Sequence, residues 1–129
     1  TRIYVRSVLA AIAGGNVKAL AHITGGGLIE NISRVLPGDL RAELDAAAWD
    51  LPAVFRWLKA AGNVEDIELA RTFNCGIGMV VIVGAEQADG VMAALASAGE
   101  TVRRIGRIGA AGGDSRDTVI AGMDTAWGA

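Results

Sequence analysis

Cysteine, histidine and proline are scarce in this sequence of 129 residues, which has one cysteine, one histidine and two prolines. A single cysteine cannot form a disulfide within the chain. Proteins without disulfides are typical of reducing compartments, so we expect a cytoplasmic location. Zinc and related metals are held by several Cys and His residues at short spacings, and no such spacing occurs. The sequence therefore predicts no metal site of that kind.

A strong charge of one sign and a long apolar run are also lacking. The 12 basic and 14 acidic residues give a formal net charge of -2, and the basic residues are scattered. Proteins that bind nucleic acid or anionic membranes concentrate Lys and Arg on one face. The longest apolar stretch, residues 77–85, includes glycine and is too short to cross a bilayer. We expect neither a nucleic acid nor a membrane as a partner.

Apolar residues and glycine are abundant, with 52% hydrophobic residues and 18 glycines. The length suits one domain with its own core. A small domain this apolar is expected to expose a face that packs against another unit. Because the sequence also does not begin with Met, we expect a piece of a longer chain, with one domain over residues 1–123 and a loose tail over residues 124–129.

The hydrophobic periodicity predicts helices and strands in partial alternation. Helices are expected at residues 4–13, 28–36, 50–62, 64–72 and 86–98, and strands at 17–23, 40–45, 77–83, 102–108 and 118–120. The segment 77–83 is apolar on both faces and is therefore expected in the centre of the sheet. Since the alternation is imperfect and the C-terminal part is rich in strands, the sequence favours an α+β fold. In this fold a mixed β-sheet packs with helices in a layered α/β sandwich.

Two details of this prediction concern helix faces and a connection. The first helix has an apolar stripe, and the third has a stripe that is expected to be buried. The stripes are Val5, Val8, Leu9 and Ile12, and Leu51, Val54, Phe55 and Leu58. The last two strands are expected to be joined by a flexible link at residues 112–115.

Three consecutive glycines, Gly25, Gly26 and Gly27, lie between the first strand and the second helix. The first N–H groups of a helix have no partner inside the helix, and the helix dipole adds positive charge there. Glycines let an anion approach such a backbone closely, so the turn is a candidate phosphate cradle. A tight turn without a ligand is equally well supported, because the run matches neither the dinucleotide fingerprint nor the Walker A pattern.

Polar residues near this turn are further candidates, each with a structural alternative. His22 either contacts substrate or transfers a proton, or it is a hydrogen-bonded residue that fixes the turn. Thr24 either caps the following helix or contacts a phosphate. Asn31 and Asn74 bind a substrate amide or ribose, or they fix loops. Gly76 either contacts a ligand or permits a close backbone approach.

Several motifs follow one another in order along the chain. They are Ala21-His22-Ile23-Thr24-Gly25-Gly26-Gly27, Glu30-Asn31, Arg34-Val35-Leu36-Pro37, Trp49 with Pro52, Gly62-Asn63-Val64, and Arg71-Thr72-Phe73-Asn74-Cys75-Gly76-Ile77-Gly78-Met79. In this order they strongly resemble the C-terminal domain of the phosphoribosylformylglycinamidine cyclo-ligases, also called aminoimidazole ribonucleotide synthetases. The resemblance covers nearly the whole chain and is densest at residues 21–37 and 49–83.

The resemblance implies an ATP-dependent enzyme of purine biosynthesis. The family closes the imidazole ring of formylglycinamidine ribonucleotide, giving aminoimidazole ribonucleotide, ADP and phosphate. It implies that an N-terminal domain of the same protein binds most of the ATP and Mg²⁺, that the active site lies between the domains, and that the full-length protein is a homodimer. This chain then corresponds to the substrate-side half, which alone is expected to be inactive.

The resemblance also assigns roles to the candidate residues. It implies substrate contact or proton transfer for His22, and substrate or phosphate binding for Thr24, Gly25, Gly26, Gly27, Asn31, Asn74 and Gly76. Cys75 often has Met in its place in this family, so a nucleophilic pair with His22 is not expected. Two other functions stay open, a related ATP-dependent amidotransferase domain and a non-catalytic binding module on the same scaffold.

Overall fold

The computed structural model describes residues 2–112 and 116–128. The helices are α1 (Val5–Ala13), α2 (Gly27–Arg34), α3 (Ala53–Gly62), α4 (Asp66–Thr72), α5 (Ala88–Ser97) and α6 (Met123–Ala126). The strands are β1 (Val17–His22), β2 (Leu40–Asp45), β3 (Met79–Val83), β4 (Gly106–Ala110) and β5 (Val119–Ala121). Helices and strands are mixed along the chain, which confirms the predicted α+β class.

The described strands form two sheets. β1 and β3 pair antiparallel, and β2 lies between β4, its antiparallel neighbour, and β5, its parallel neighbour. The second sheet is therefore mixed, as predicted. The predicted central position of residues 77–83 is wrong, because β3 has only β1 as a hydrogen-bonded neighbour among the described strands.

β3 is apolar on both faces because each face meets a different cluster. Val81 and Val83 pack with a small cluster between α1 and α5, whereas Val80 and Ile82 belong to the main core. The main core is built around α2, whose apolar face is completely covered by the strands and by α4. Coverage on both faces, and not a central place in a sheet, explains the continuous apolar run.

The apolar stripes of α1 and α3 are only partly covered by the rest of the domain. α1 buries the small residues Ser7 and Ala11, and leaves the side chains of Val5, Leu9 and Ile12 exposed. The buried stripe predicted for the third helix holds in part, because Leu51 just before α3 is buried, Phe55 and Leu58 are half-buried, and Val54 is exposed. Amphipathic spacing identified these helices but not the side from which they are covered.

The predicted loose tail is also wrong over residues 124–128. α6 ends next to Trp127, whose side chain is 1% exposed and meets the ring of Trp49 edge-on at 5.8 Å. Arg56 donates to the carbonyl oxygens of Ala126 (3.3 Å) and Gly128 (3.4 Å). An aromatic anchor and these hydrogen bonds therefore hold this segment on the domain.

Two further points concern the link that was predicted between the last two strands and the length of the helices. Three residues of the predicted flexible link, 113–115, lie outside the described residues. Within the described part of the chain, no helix combines the length and apolar character needed to cross a bilayer.

Candidate functional site

The junction between β1 and α2 is a tight turn that depends on glycine geometry. β1 ends at His22, and α2 begins at Gly27. Gly26 and Gly27 have φ values of 95° and 59°, which glycine adopts without the steric cost of a Cβ. No side chain caps α2, so the alternative in which Thr24 caps this helix is wrong.

Asn31 fixes this turn from the inside. Its side-chain amide donates to the carbonyl oxygens of Thr24 (3.2 Å), Gly25 (3.1 Å) and Gly27 (2.9 Å). Asn31 is only 6% exposed, and its amide is occupied by these bonds. The contacts support the loop-fixing role. A direct substrate contact by Asn31 stays a prediction.

Gly27 brings α2 against the end of α4. A Cβ on Gly27 would overlap the carbonyl oxygen of Ala70 and lie 2.8 Å from that of Phe73. Only glycine permits this approach, and it places the segment after α4 beside the glycine turn. In this way Thr72 and Asn74 come close to residues that are about fifty positions earlier in the sequence.

Asn74 uses the oxygen of its side chain to build the next turn. Its Oδ1 accepts a hydrogen bond from the N–H of Gly76 at 2.9 Å. Only the oxygen of an Asn amide can accept a hydrogen bond from an N–H, so the other polar atom of this amide is the NH₂ nitrogen. This NH₂ group has no acceptor within residues 2–112 and 116–128, and it is available to a ligand.

The side chains of His22, Thr24 and Asn74 line one open cavity of about 330 Å³. His22 and Thr24 are exposed, and Asn74 is half-buried. Neither the His22 ring nitrogens nor the Thr24 hydroxyl has a hydrogen-bond partner in the described part of the chain. The contacts therefore do not support a hydrogen-bonded structural role for His22. The imidazole, the hydroxyl and the NH₂ group of the Asn74 amide, which lack partners, can together bind a small polar ligand.

Three further polar residues line this cavity that the sequence did not single out as site residues, Arg2, Tyr4 and Thr72. The ring of Tyr4 meets the ring of His22 edge-on, with centroids 6.0 Å apart. The Tyr4 hydroxyl also lies against Gly78, where a Cβ would overlap it. Thr72 lies within one of the motifs that were recognised in the sequence. Arg2 and Tyr4 reach the cavity only because the fold brings the first residues of the chain next to it, and no local sequence pattern predicts this.

The three glycines of the turn do not line the cavity. A Cβ on Gly26 would lie 2.6 Å from Oε2 of Glu30, so the Glu30 carboxylate lies over the turn. A carboxylate is stabilised at the N-terminus of a helix by the dipole, and it also pairs with Arg34 at 3.7 Å. The N–H groups of Gly25 and Gly26 have no acceptor in the described residues. A phosphate over Gly26 would have to displace Glu30, whereas nothing lies within 4 Å of the Cβ position of Gly25.

Gly76 lies outside the cavity around His22. It has a φ of 94°, and a Cβ there would lie 2.7 Å from Cδ of Pro52. It borders another cavity, of about 510 Å³, between β3 and residues 102–108. The contacts of Gly76 support the alternative of a close approach, and its ligand contact stays a prediction.

Cys75 is not placed as a nucleophile. It is fully buried, and its Sγ donates to the carbonyl oxygen of Phe73 at 3.8 Å. Burial, with a smaller effect of the Asp66 carboxylate, raises the pKa of Cys75 to about 12. The reactive thiolate is therefore scarce at neutral pH. Cys75 is also absent from the lining of the cavity that contains His22.

The described residues do not fit a magnesium site. None of them form a group of three or more His, Cys, Asp and Glu side chains that could hold a metal ion. Magnesium is bound through carboxylate oxygens and water, and no described Asp or Glu lines the cavity around His22. No step that needs Mg²⁺ is assigned to these residues.

Comparison with known proteins confirms the resemblance found in the motifs. Residues 1–118 match the family described as AIR synthase related protein, C-terminal domain. Similar curated proteins are the phosphoribosylformylglycinamidine cyclo-ligases of Neisseria meningitidis serogroup C (strain 053442), N. meningitidis serogroup B (strain ATCC BAA-335 / MC58) and Neisseria gonorrhoeae (strain ATCC 700825 / FA 1090), each 54% identical over 121 residues. These matches cover 94% of this chain and 35% of each relative, so the chain spans about a third of their length. The chain therefore belongs to the family of AIR synthase related proteins, as a C-terminal domain of that family.

Proposed function

We propose that the chain is the substrate-side part of a phosphoribosylformylglycinamidine cyclo-ligase. The observation that supports this most is the 54% identity to enzymes of that name over 94% of the chain. The proposed reaction closes the imidazole ring of formylglycinamidine ribonucleotide at the expense of ATP, giving aminoimidazole ribonucleotide, ADP and phosphate. The cavity bordered by His22, Thr24 and Asn74 is the proposed substrate site in this part.

The cavity offers the groups that a polar, flexible substrate needs for ring closure. The substrate chain must be held so that its amine reaches the carbon that it attacks, and such positioning accounts for much of the rate of a cyclisation. The Thr24 hydroxyl and the Asn74 NH₂ group are free to hold polar atoms of the substrate. The ring nitrogens of His22 are free to bind the substrate or to carry a proton to or from it.

The parts that hold these groups in place are the glycine turn and Asn31. Three hydrogen bonds from Asn31 fix the backbone that carries Thr24. Gly25, Gly26 and Gly27 remain candidate ligands of the substrate phosphate. The N–H groups of Gly25 and Gly26 are free for this role once the Glu30 carboxylate moves off Gly26, whereas the N–H of Gly27 donates to the carbonyl oxygen of Thr24 at 3.0 Å and would have to exchange that acceptor.

The proposed function carries further expectations about the whole enzyme. ATP and Mg²⁺ bind mainly to the part of the enzyme that precedes the matched segment, and that part is the intramolecular partner of this domain. The full-length enzyme acts as a homodimer in the cytoplasm. This domain alone is expected to show no ring closure.

A chimera tests the proposal directly. The matched segment of the N. meningitidis relative is replaced by this chain, and formation of aminoimidazole ribonucleotide is followed together with ATP hydrolysis. We expect the chimera to turn over formylglycinamidine ribonucleotide, and the variants His22→Asn and Asn74→Ala to lower kcat/KM by about tenfold or more. The variant Asn16→Ala serves as the control, because Asn16 does not line the cavity.

Two results would contradict the proposal. One is a chimera that matches its parent in secondary structure and thermal stability but shows no turnover. The other is ring closure by this chain alone, which would remove the need for a separate ATP-binding part.

A further inference from the structure

Arg2 is the one basic residue that lines the cavity around His22, Thr24 and Asn74 among the residues described. Its side chain is 58% exposed and is held from one side by a partly buried carboxylate, with Nε 3.0 Å from Oε2 of Glu100. The guanidinium also donates from Nη2 to the carbonyl oxygen of Gly99 at 3.2 Å. These contacts fix the side chain at the edge of the cavity.

The contacts leave part of the Arg2 guanidinium free. A guanidinium has five N–H donors in a planar fork, and Nη1 of Arg2 has no acceptor among the described residues. Glu100 is itself held, because its Oε1 accepts from the hydroxyl of Ser7 at 2.8 Å. Arg2 is thus held through Nε and Nη2 and is still able to donate through Nη1.

The rest of the cavity favours an anion over a cation. Its other polar groups include the Thr24 hydroxyl and the Asn74 NH₂ group, both of which can donate. No carboxylate side chain borders the cavity within the part of the chain that the structure describes. Arginine binds phosphate through two parallel hydrogen bonds, and the contacts of Arg2 leave Nη1 and the second N–H of Nη2 for such a pair.

We propose that Arg2 binds the phosphate group of a sugar phosphate in this cavity, with Thr24 and Asn74 as neighbouring hydrogen-bond donors. Glu100 and Ser7 act as positioning residues that hold the guanidinium. This inference rests on the proposed function, since a ribonucleotide substrate carries such a phosphate. It places the phosphate at Arg2 instead of at the glycine turn, which does not line this cavity and has the Glu30 carboxylate over Gly26.

The test is a titration of the isotopically labelled chain with ribose 5-phosphate, followed by NMR of the backbone amides and the Arg2 Nε–H. Free ribose and inorganic phosphate are titrated in parallel at matched ionic strength. We expect saturable shifts at Arg2, Thr24 and Asn74 with ribose 5-phosphate, weaker binding of inorganic phosphate, and no saturation with ribose.

The decisive variants are Arg2→Gln and Arg2→Lys, with Arg6→Gln as the matched control. Arg6 is exposed, carries the same charge and does not line the cavity. We expect Arg2→Gln to weaken ribose 5-phosphate binding by about tenfold or more, Arg2→Lys to weaken it less, and Arg6→Gln to change it by less than about twofold.

Equal affinity in the Arg2→Gln and Arg6→Gln variants would overturn the assignment, as would the absence of saturable binding to the unmodified chain. Neither of these binding results says whether the chimera turns over its substrate, because turnover is measured separately. Conversely, an inactive chimera together with Arg2-dependent binding would reject the cyclo-ligase reaction and keep the phosphate site. The two failures are therefore distinguishable.

Discussion

Gly27 and the carbonyl oxygen of Ala70 lie so close together that a Cβ on Gly27 would overlap this oxygen. Gly27 also has a φ of 59°, a conformation that is strained for residues with a Cβ. The substitution Gly27→Ala should push α2 away from α4 and lower the free energy of unfolding by about 2–5 kcal/mol. Urea denaturation followed by circular dichroism measures this loss.

Gly90→Ala is the matched control for Gly27→Ala. Gly90 lies in α5 with nothing within 4 Å of its Cβ position, so the added methyl group meets no neighbour. Removing a glycine from an exposed helix should raise the free energy of unfolding by about 0.5–1 kcal/mol. A loss below about 0.5 kcal/mol for Gly27→Ala, the range of ordinary surface changes, would contradict the close approach of the two helices.

Local patterns predicted much of this fold because they depend on neighbouring residues. The helices and strands lie near the expected segments, and the class is the predicted one. The strand expected at residues 102–108 instead begins at Gly106, where a Cβ would overlap the carbonyl oxygen of Glu43. The partner strand therefore sets where β4 begins, and the periodicity of a single segment does not contain that information.

The candidate site also contains residues that local motifs predict and residues that only the tertiary fold brings in. His22, Thr24 and Asn74 were identified from motifs, and the structure places them on one cavity. Arg2 and Tyr4 were missed, because they reach the cavity only through the tertiary fold. The exposed Val54 and the buried Trp127 were mispredicted for the same reason, since composition and spacing do not say which neighbour covers a residue.

Asn31 should be worth more to stability than other half-exposed or buried asparagines, because one amide serves three carbonyl oxygens. Asn31→Ala leaves these acceptors without that donor, so we expect a loss of about 2–4 kcal/mol in the free energy of unfolding. Asn16→Ala is the control, since Asn16 makes no hydrogen bond through its side chain in the described region, and we expect a change within about 0.5 kcal/mol. Equal losses in urea denaturation for the two variants would refute the proposed role of Asn31.

Trp127 and Trp57 provide a paired test of the C-terminal segment. Trp127 is 1% exposed in the core, whereas Trp57 on α3 is 65% exposed. Trp127→Ala should lower the free energy of unfolding by about 3–5 kcal/mol, and Trp57→Ala by less than about 1 kcal/mol. Thermal and urea denaturation of both variants measure the difference. If Trp127→Ala were as mild as Trp57→Ala, the predicted loose tail would be correct after all.

Cys75 should make the stability of this chain fall at alkaline pH. Burial and the Asp66 carboxylate raise the pKa of its thiol from 9.0 to about 12 in the folded chain. Above the unfolded pKa, the unfolded chain has lost the thiol proton while the folded chain still holds it. The folded state then binds more protons, so the free energy of unfolding decreases as pH rises, by up to about 1.4 kcal/mol per pH unit. Below the unfolded pKa the thiol is protonated in both states, and the stability that depends on the protonated thiol is fully retained.

The variant Cys75→Ala isolates this effect, because the two proteins differ only in the thiol. Cys75→Ala is expected to be less stable near neutral pH, since it leaves a small cavity in the core. Its free energy of unfolding should nevertheless fall less steeply than that of the unmodified chain between about pH 9 and 10.5, so that the two curves converge. Urea denaturation at a series of pH values measures both slopes. Parallel curves would mean that the Cys75 thiol ionises as easily in the folded chain as in the unfolded one, and that its burial does not hold the proton.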